Sequence, residues 1–111
     1  MKSMDKYQKL AARTMNPALT KKETVEHALF CMSAEVGELL SIYQKELQGH
    51  AFDDRHAKYE AGDILWALAE YCTAMGWELS DIAEMNIEKL RRRYPDGFDP
   101  ERSMRRKGTD T

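Results

Sequence analysis

Two long stretches, 20–47 and 54–75, repeat their apolar residues with helical period and are joined through Gln48-Gly49-His50. Segments of this kind fold as amphipathic helices, and so short a connection makes them antiparallel neighbours. Advancing about 100° per residue from Met32, Val25, Ala28, Leu29, Val36, Leu39 and Tyr43 form one stripe; Ile64, Leu68, Tyr71 and Met75 form the other. Two carboxylate pairs at i,i+3 interrupt these stripes. Glu35 falls at the edge of the first, between Ala28 and Ile42, with Glu38 one step further round, while Glu60 projects within the second and Asp63 flanks it. An unpaired ionised carboxylate costs several kcal/mol to desolvate, so something cationic is expected to meet them. Counted back from the turn, Glu38 and Glu60 are each about two to three helical turns away, which predicts that all four carboxylates face one another at similar height. Hard oxygen donors without thiolate or imidazole suit Mg²⁺, or Mn²⁺ in its place, far better than zinc. A single such pair in a chain that is 32% charged reads as a solvated helix flank. Two pairs, both encroaching on apolar stripes and matched across a hairpin, favour a metal site.

The remaining segments are also helical. At 111 residues the chain is expected to be one domain, 1–111. A first helix over about Asp5–Met15, with Tyr7, Leu10, Ala11 and Met15 on one side, stops at Asn16-Pro17. Thr20 with Glu23 is a capping-box pattern that opens the long second helix. Phe52-Asp53-Asp54 supplies the next N-cap, Gly76 reads as a helix stop, and Ser80 caps a fourth helix that runs to about Arg93. Tyr94-Pro95-Asp96-Gly97-Phe98 breaks that helix, and about 95–111 reads as a polar tail. Neither sustained alternation nor a β-branched run appears anywhere. The expected fold is therefore all-α and four-helix-bundle-like, with a short N-terminal helix, a long central antiparallel hairpin and a fourth helix. Asn86, Lys89 and Arg93 share the fourth helix's apolar side with Ile82 and Leu90. Lys and Arg can snorkel out of such positions, but cations and an amide beside an acidic metal cluster are what phosphate groups need.

Lys plus Arg (17) and Asp plus Glu (19) nearly cancel, so no net field argues for nucleic-acid or membrane partners. No apolar run approaches membrane-spanning length, and MKSMDKYQKL lacks a signal-peptide core. Cys31 and Cys72 are neither a disulfide framework nor a zinc motif; reduced packing cysteines in a cytoplasmic protein are expected. His27, His50 and His56 are scattered, with His56 placed as a helix-surface partner for Glu60, and no Ser/His or Cys/His nucleophile arrangement exists. The glycines are isolated, which excludes a phosphate loop. A second, nearly uncharged face of Phe30, Ala34, Gly37 and Ser41 on one helix, and Gly62, Trp66 and Ala69 on the next, predicts a homo-oligomer with Phe30 and Trp66 in the contact.

The runs S-A-E-V-G-E-L, Y-E-A-G-D-I-L-W-A-L-A and N-I-E-K-L-R-R-R-Y-P-D-G-F closely resemble the MazG-like nucleotide pyrophosphohydrolases of the all-α NTP pyrophosphatase superfamily. The opening Y-Q-K-L-A-A-R-T is similar to the start of compact single-domain members from phages and bacteria. The resemblance implies Mg²⁺-dependent cleavage of a nucleoside triphosphate to the monophosphate and pyrophosphate, by metal-activated water attack on the α phosphorus. It also implies assembly as dimers or dimers of dimers; a house-cleaning role in the nucleotide pool is expected, with nucleotide signalling as the open alternative. By that likeness Glu35, Glu38, Glu60 and Asp63 are the catalytic metal ligands, and Asn86, Lys89 and Arg93 hold the phosphates. Many members carry a further Glu at the head of each motif, where this chain has Ala34 and Tyr59. A di-metal carboxylate oxidase would need Glu-x-x-His pairs, which neither carboxylate pair provides. The alternative from another class is a non-catalytic helical dimerisation or adaptor module with vestigial carboxylates.

Overall fold

The computed structural model describes residues 3–105, all of it helix and connecting turns apart from a single isolated bridge between Pro95 and Gly97. In order the elements are α1 (Met4–Ala12), α2 (Lys21–Leu47), α3 (Asp54–Met75), α4 (Leu79–Arg93) and α5 (Pro100–Arg105). Local chemistry sets most boundaries. Thr20 and Glu23 close the capping box at the start of α2, with Thr20 Oγ1 accepting from the Glu23 N–H at 3.2 Å and Glu23 Oε1 from the Thr20 N–H at 2.9 Å. Asp53 caps α3 through the His56 N–H at 3.0 Å. Gly76 ends α3 in the left-handed region, φ 76°, where a side chain would be strained.

Helices α2 and α3 form the antiparallel hairpin. His27 meets Glu70 near one end and Tyr43 packs on Phe52 near the turn, so residue numbers rise along one helix as they fall along the other. The seam is turned from the expected stripe. Thr24, Ala28 and Ile42 are buried, with Cys31, Glu35 and Leu39 half-buried between them, whereas Leu29, Val36 and Tyr43 are exposed. The cause lies in α3, whose inward side carries Glu60 and Glu70 beside Ala67; small and polar groups of α2 fit against it better than Leu29 or Val36 do.

Helix α1 lies across α3 and holds α4. The core that α1, α3 and the start of α4 share consists of Ala11, Ala69, Cys72 and Leu79, with Tyr7, Trp66, Leu68 and Ile82 packed around it. Trp66 Nε1 donates to Thr14 Oγ1 at 2.8 Å and lies 3.3 Å from the Ala11 carbonyl, so Trp66 and the buried Ala69 are covered by α1 of the same chain. They are therefore not part of an outer contact face. Ser80 is not the cap of α4 either: the helix starts one residue earlier, and its first amides are satisfied from α1. Gln8 Oε1 accepts from the Leu79 N–H at 2.7 Å, and Asp5 accepts from both the N–H and the hydroxyl of Ser80 at 3.1 and 2.7 Å.

Within one chain the helices do not close into a four-helix bundle. Broad packing joins α2 to α3, α1 to α3 and α1 to α4. The radius of gyration is 17.2 Å, against about 13 Å for a compact domain of this length. Part of the expected tail is ordered: residues 100–105 form α5, and Arg102 reaches back to the Arg93 carbonyl at 3.4 Å. Residues 106–111 of that tail lie outside the described residues.

Gln8 is the polar keystone of the α1–α4 junction, because it also donates to the Trp77 carbonyl at 2.8 Å and to Thr73 Oγ1 at 3.2 Å. Removing a buried partner costs about 1–3 kcal/mol per group left unsatisfied. Gln8→Ala is expected to lower unfolding free energy by about 2–4 kcal/mol in urea titrations; a change within 0.5 kcal/mol of zero, the level of ordinary surface substitutions, would show that water replaces these bonds.

Candidate metal centre

Glu35 projects from the middle of α2 and Glu60 and Asp63 from the first half of α3, and one carboxylate oxygen of each lies within 4.8 Å of the others. Packing of the hairpin, not sequence proximity, brings the two helices' carboxylates together. The Glu60 side chain is 12% exposed, while Asp63 is open to solvent. One Glu60 oxygen faces His56 Nε2 at 3.2 Å, the helix-surface pair expected from the spacing. The other, Oε2, is buried with no hydrogen-bond donor when all three groups are ionised. Such an atom is costly unless a proton or a cation reaches it.

The electrostatics of Glu35 express the same deficit. Its carboxyl is pushed up to about 7, first by a hydrogen bond with Glu60, then by desolvation, and then by the charges of Glu60, Asp63 and Glu38. Every charge acting on it is a carboxylate. In the absence of a cation, one shared proton is what makes the cluster tolerable. Tyr7 of α1 is close enough to feel Asp63: its phenol is pushed above the usual value by burial and then by that charge.

Glu38 stands apart from this triad. It is exposed on the next turn of α2 and lines a cleft of about 180 Å³ together with Lys45, His50, Asp53 and His56. His56 thus joins the cleft to Glu60 and the acidic cluster. The expected convergence of four carboxylates is in the structure a convergence of three, with the fourth one turn along. Asn86 is exposed on α4, and Lys89 and Arg93 are half-buried there. Because α4 packs on α1, the broad α2–α3 contact that aligns the carboxylates does not extend to these three residues.

Sequence reasoning passed over Glu70. It stands two helical turns beyond Asp63, hence on the same side of α3, and its side chain is 1% exposed. Both of its oxygens face His27 Nδ1, at 2.9 and 3.0 Å, and Cys31 Sγ lies 3.4 Å from the ring's Nε2. The signal was present as a charge between Ala69 and Tyr71 in an apolar stretch, with His27 and Cys31 at i,i+4 on the opposite helix.

A family model described as the MazG nucleotide pyrophosphohydrolase domain matches residues 23–98, more than half of the chain. The matched range includes Glu35, Glu38, Glu60, Asp63, Asn86, Lys89 and Arg93. Neither the curated proteins nor the solved structures contain a match to the chain.

The raised carboxyl makes stability depend on pH. Glu35 has an ordinary value of 4.5 and a folded value of about 7. Between these the folded chain binds more protons than the unfolded one, so stability falls as pH rises. The stabilisation is full below the lower value and lost above the upper. In cation-free buffer the melting temperature is expected to drop between about pH 5 and pH 8, with the drop reduced in Glu35→Gln and reversed by Mg²⁺ at the alkaline end. An identical pH profile in Glu35→Gln would show that the three carboxylates do not repel one another as their geometry indicates.

Proposed function

Because the chain belongs to the MazG nucleotide pyrophosphohydrolase domain family, we propose that it hydrolyses a nucleoside triphosphate to the monophosphate and pyrophosphate in a Mg²⁺-dependent reaction. The observation that carries this reading is the convergence of Glu35, Glu60 and Asp63 around a buried, donor-less oxygen of Glu60 with no side-chain cation among them. The donor set fits the ion: three carboxylates, all hard oxygen, on two helices that hold them at fixed separation. Mn²⁺ suits the same donors. Glu35, Glu60 and Asp63 would hold it, with Glu38 reaching in from the adjoining turn.

When bound, the ion supplies neutralisation of phosphate oxygens and activation of water for attack on the α phosphorus. The chain's own residues do the rest. A carboxylate oxygen not engaged with the ion would accept the proton of the attacking water. Asn86, Lys89 and Arg93 hold phosphate oxygens, with the Lys89 ammonium offsetting charge that builds on departing pyrophosphate. Removal of unwanted nucleotides from the pool is the role we assign.

The working unit we propose is a homodimer or dimer of dimers. Leu29, Val36, Leu40, Tyr43 and Leu47 are all exposed on α2, and they recur at intervals of seven, four, three and four, the repeat of a helix that packs against another helix. Leu40 is 63% exposed and Phe30, beside the stripe, 70%. A continuous apolar face of this length on a monomer is an association site.

Glu38→Gln and Asp63→Asn each remove a charge at nearly constant volume. Both are expected to cut pyrophosphate release, followed by phosphorus NMR at saturating Mg²⁺, by about 100-fold or more while the helical circular-dichroism signal is retained. Near-normal turnover in either would leave an adaptor module as the better reading. Lys89→Met keeps the apolar stem and loses one charge-assisted contact worth about 1.5–3 kcal/mol, so kcat/KM is expected to fall about 10- to 100-fold. An unchanged kcat/KM would remove Lys89 from the phosphate site. Light scattering should give at least twice the 12.9 kDa chain mass, and Leu40→Lys should shift it toward the monomer; a monomer with full activity in the wild type would contradict the assembly.

A further inference from the structure

Taking the pyrophosphohydrolase reading as given, we propose that the cleft at the turn of the hairpin seats the nucleobase, and that Lys45 and Asp53 select bases carrying a carbonyl beside a ring N–H. The cleft, about 180 Å³, is lined on α2 by Glu38, Ser41, Ile42 and Lys45 and across from it by Asp53 and His56. The four α2 residues follow i, i+3, i+4, i+7 spacing, so their side chains share one face of the helix. Ile42, 5% exposed, gives that face an apolar floor between Glu38 and Lys45. The space is smaller than the roughly 300–1,000 Å³ that encloses a whole ligand, and it admits a single ring system with the rest of the molecule outside.

Position decides which part of a nucleotide lies there. Lys45 stands seven residues beyond Glu38, and Asp53 seven before Glu60. At about 1.5 Å per residue, each is about 10 Å along the hairpin from the carboxylate end of the cleft. That is the reach of a nucleoside from its α phosphate to the far edge of its base. His56 marks the boundary, since it lines the cleft and faces Glu60 Oε1 at 3.2 Å. With the phosphates at the Glu35 cluster, the base comes to lie between Lys45 and Asp53. Glu38 and Asp53 would repel a phosphate from the same space, which favours an uncharged ring.

The two selecting groups are chemically opposite. The Lys45 ammonium only donates hydrogen bonds and the Asp53 carboxylate only accepts them. Asp53 Oδ1 is committed to the His56 N–H at 3.0 Å, which leaves Oδ2 as the acceptor. Among the described residues Lys45 has no ion-pair partner. A donor beside an acceptor matches guanine O6 with N1–H, and uracil or thymine O4 with N3–H. Adenine and cytosine present the reverse, an amino donor beside a ring acceptor, and leave both protein groups unpaired. A lysine in the last turn of α2 also complements the helix dipole, and Asp53 is the cap of α3. Neither task calls for the two to flank one cleft.

The full chain is assayed with dGTP, dTTP, dUTP, dATP and dCTP at saturating Mg²⁺, and binding of the corresponding monophosphates is followed by saturation-transfer NMR. The guanine, thymine and uracil nucleotides are expected to exceed the adenine and cytosine ones at least about tenfold in kcat/KM, with the monophosphates in the same order. Lys45→Met should bring that ratio to within about threefold. Asp53→Asn keeps the cap, because asparagine caps as well as aspartate, but turns the free oxygen into an amide donor. It should therefore raise the adenine and cytosine nucleotides relative to the others at least about tenfold. Equal kcat/KM across the panel, the opposite preference, or an unaltered ratio in either variant would overturn the base assignment while leaving the reaction standing. If no nucleotide releases pyrophosphate, the reaction itself fails, and the order of monophosphate binding with its loss in Lys45→Met still decides the role of the cleft.

Discussion

Mutual repulsion among Glu35, Glu60 and Asp63 is the constraint around which the hairpin is built. Two helices that bury Thr24, Ala28 and Ile42 at their seam also bring three acidic groups together, one of them with a buried oxygen that lacks a hydrogen-bond donor when all three are ionised. The chain tolerates this because Glu35 can keep a proton near neutrality. A proton is the weaker of two solutions, since a divalent ion offsets two of the three negative charges at once and can bond the orphaned oxygen. Pre-assembled acidic groups that lack their counter-charge are how a binding site is stored in a fold, at the expense of stability in its absence.

The open shape follows from the same choice. With its inward side given to Thr24, Ala28, Cys31 and Glu35, α2 buries little apolar area against α3, and its leucines, Val36 and Tyr43 face outward. The intramolecular core is correspondingly small and built of alanine, cysteine and leucine at the α1–α3–α4 junction. Helix α1 and the turn after it contribute more through polar contacts than through bulk: Asp5 and Gln8 cap α4, and Thr14 binds the Trp66 indole. The proposed assembly would cover the α2 stripe and add the apolar burial that the single chain lacks.

What could be read in the sequence was what local rules control. The capping box at Thr20 and Glu23, the Asp53 cap, the Gly76 stop and the hairpin itself all depend on residues within a turn of one another. The carboxylate pairs were legible because charge inside an apolar period is conspicuous, and three of the four residues do come together. Rotation of α2 about its axis was not legible. It depends on which side of α3 it meets, and the placement of Glu38 one turn off the cluster follows from that rotation. The capping of α4 by Asp5 and Gln8 spans more than seventy residues, beyond any local pattern. Trp66 looked like a contact residue because its partners, Ala11 of α1 and Thr14 in the turn that follows it, lie more than fifty residues away in sequence. Glu70 was missed because it lacks an i,i+3 companion, its partner being His27 across the seam.

The most direct test of the carboxylate cluster as a cation site is manganese binding without nucleotide. Free Mn²⁺ gives a sharp six-line electron paramagnetic resonance spectrum that is lost when the ion is held by protein. Titration of the wild-type chain should deplete that signal with saturation, Mg²⁺ in excess should restore it, and Glu60→Gln should leave it undiminished. Equal depletion by wild type and Glu60→Gln, or none by either, would contradict the assignment of Glu35, Glu60 and Asp63 as ligands.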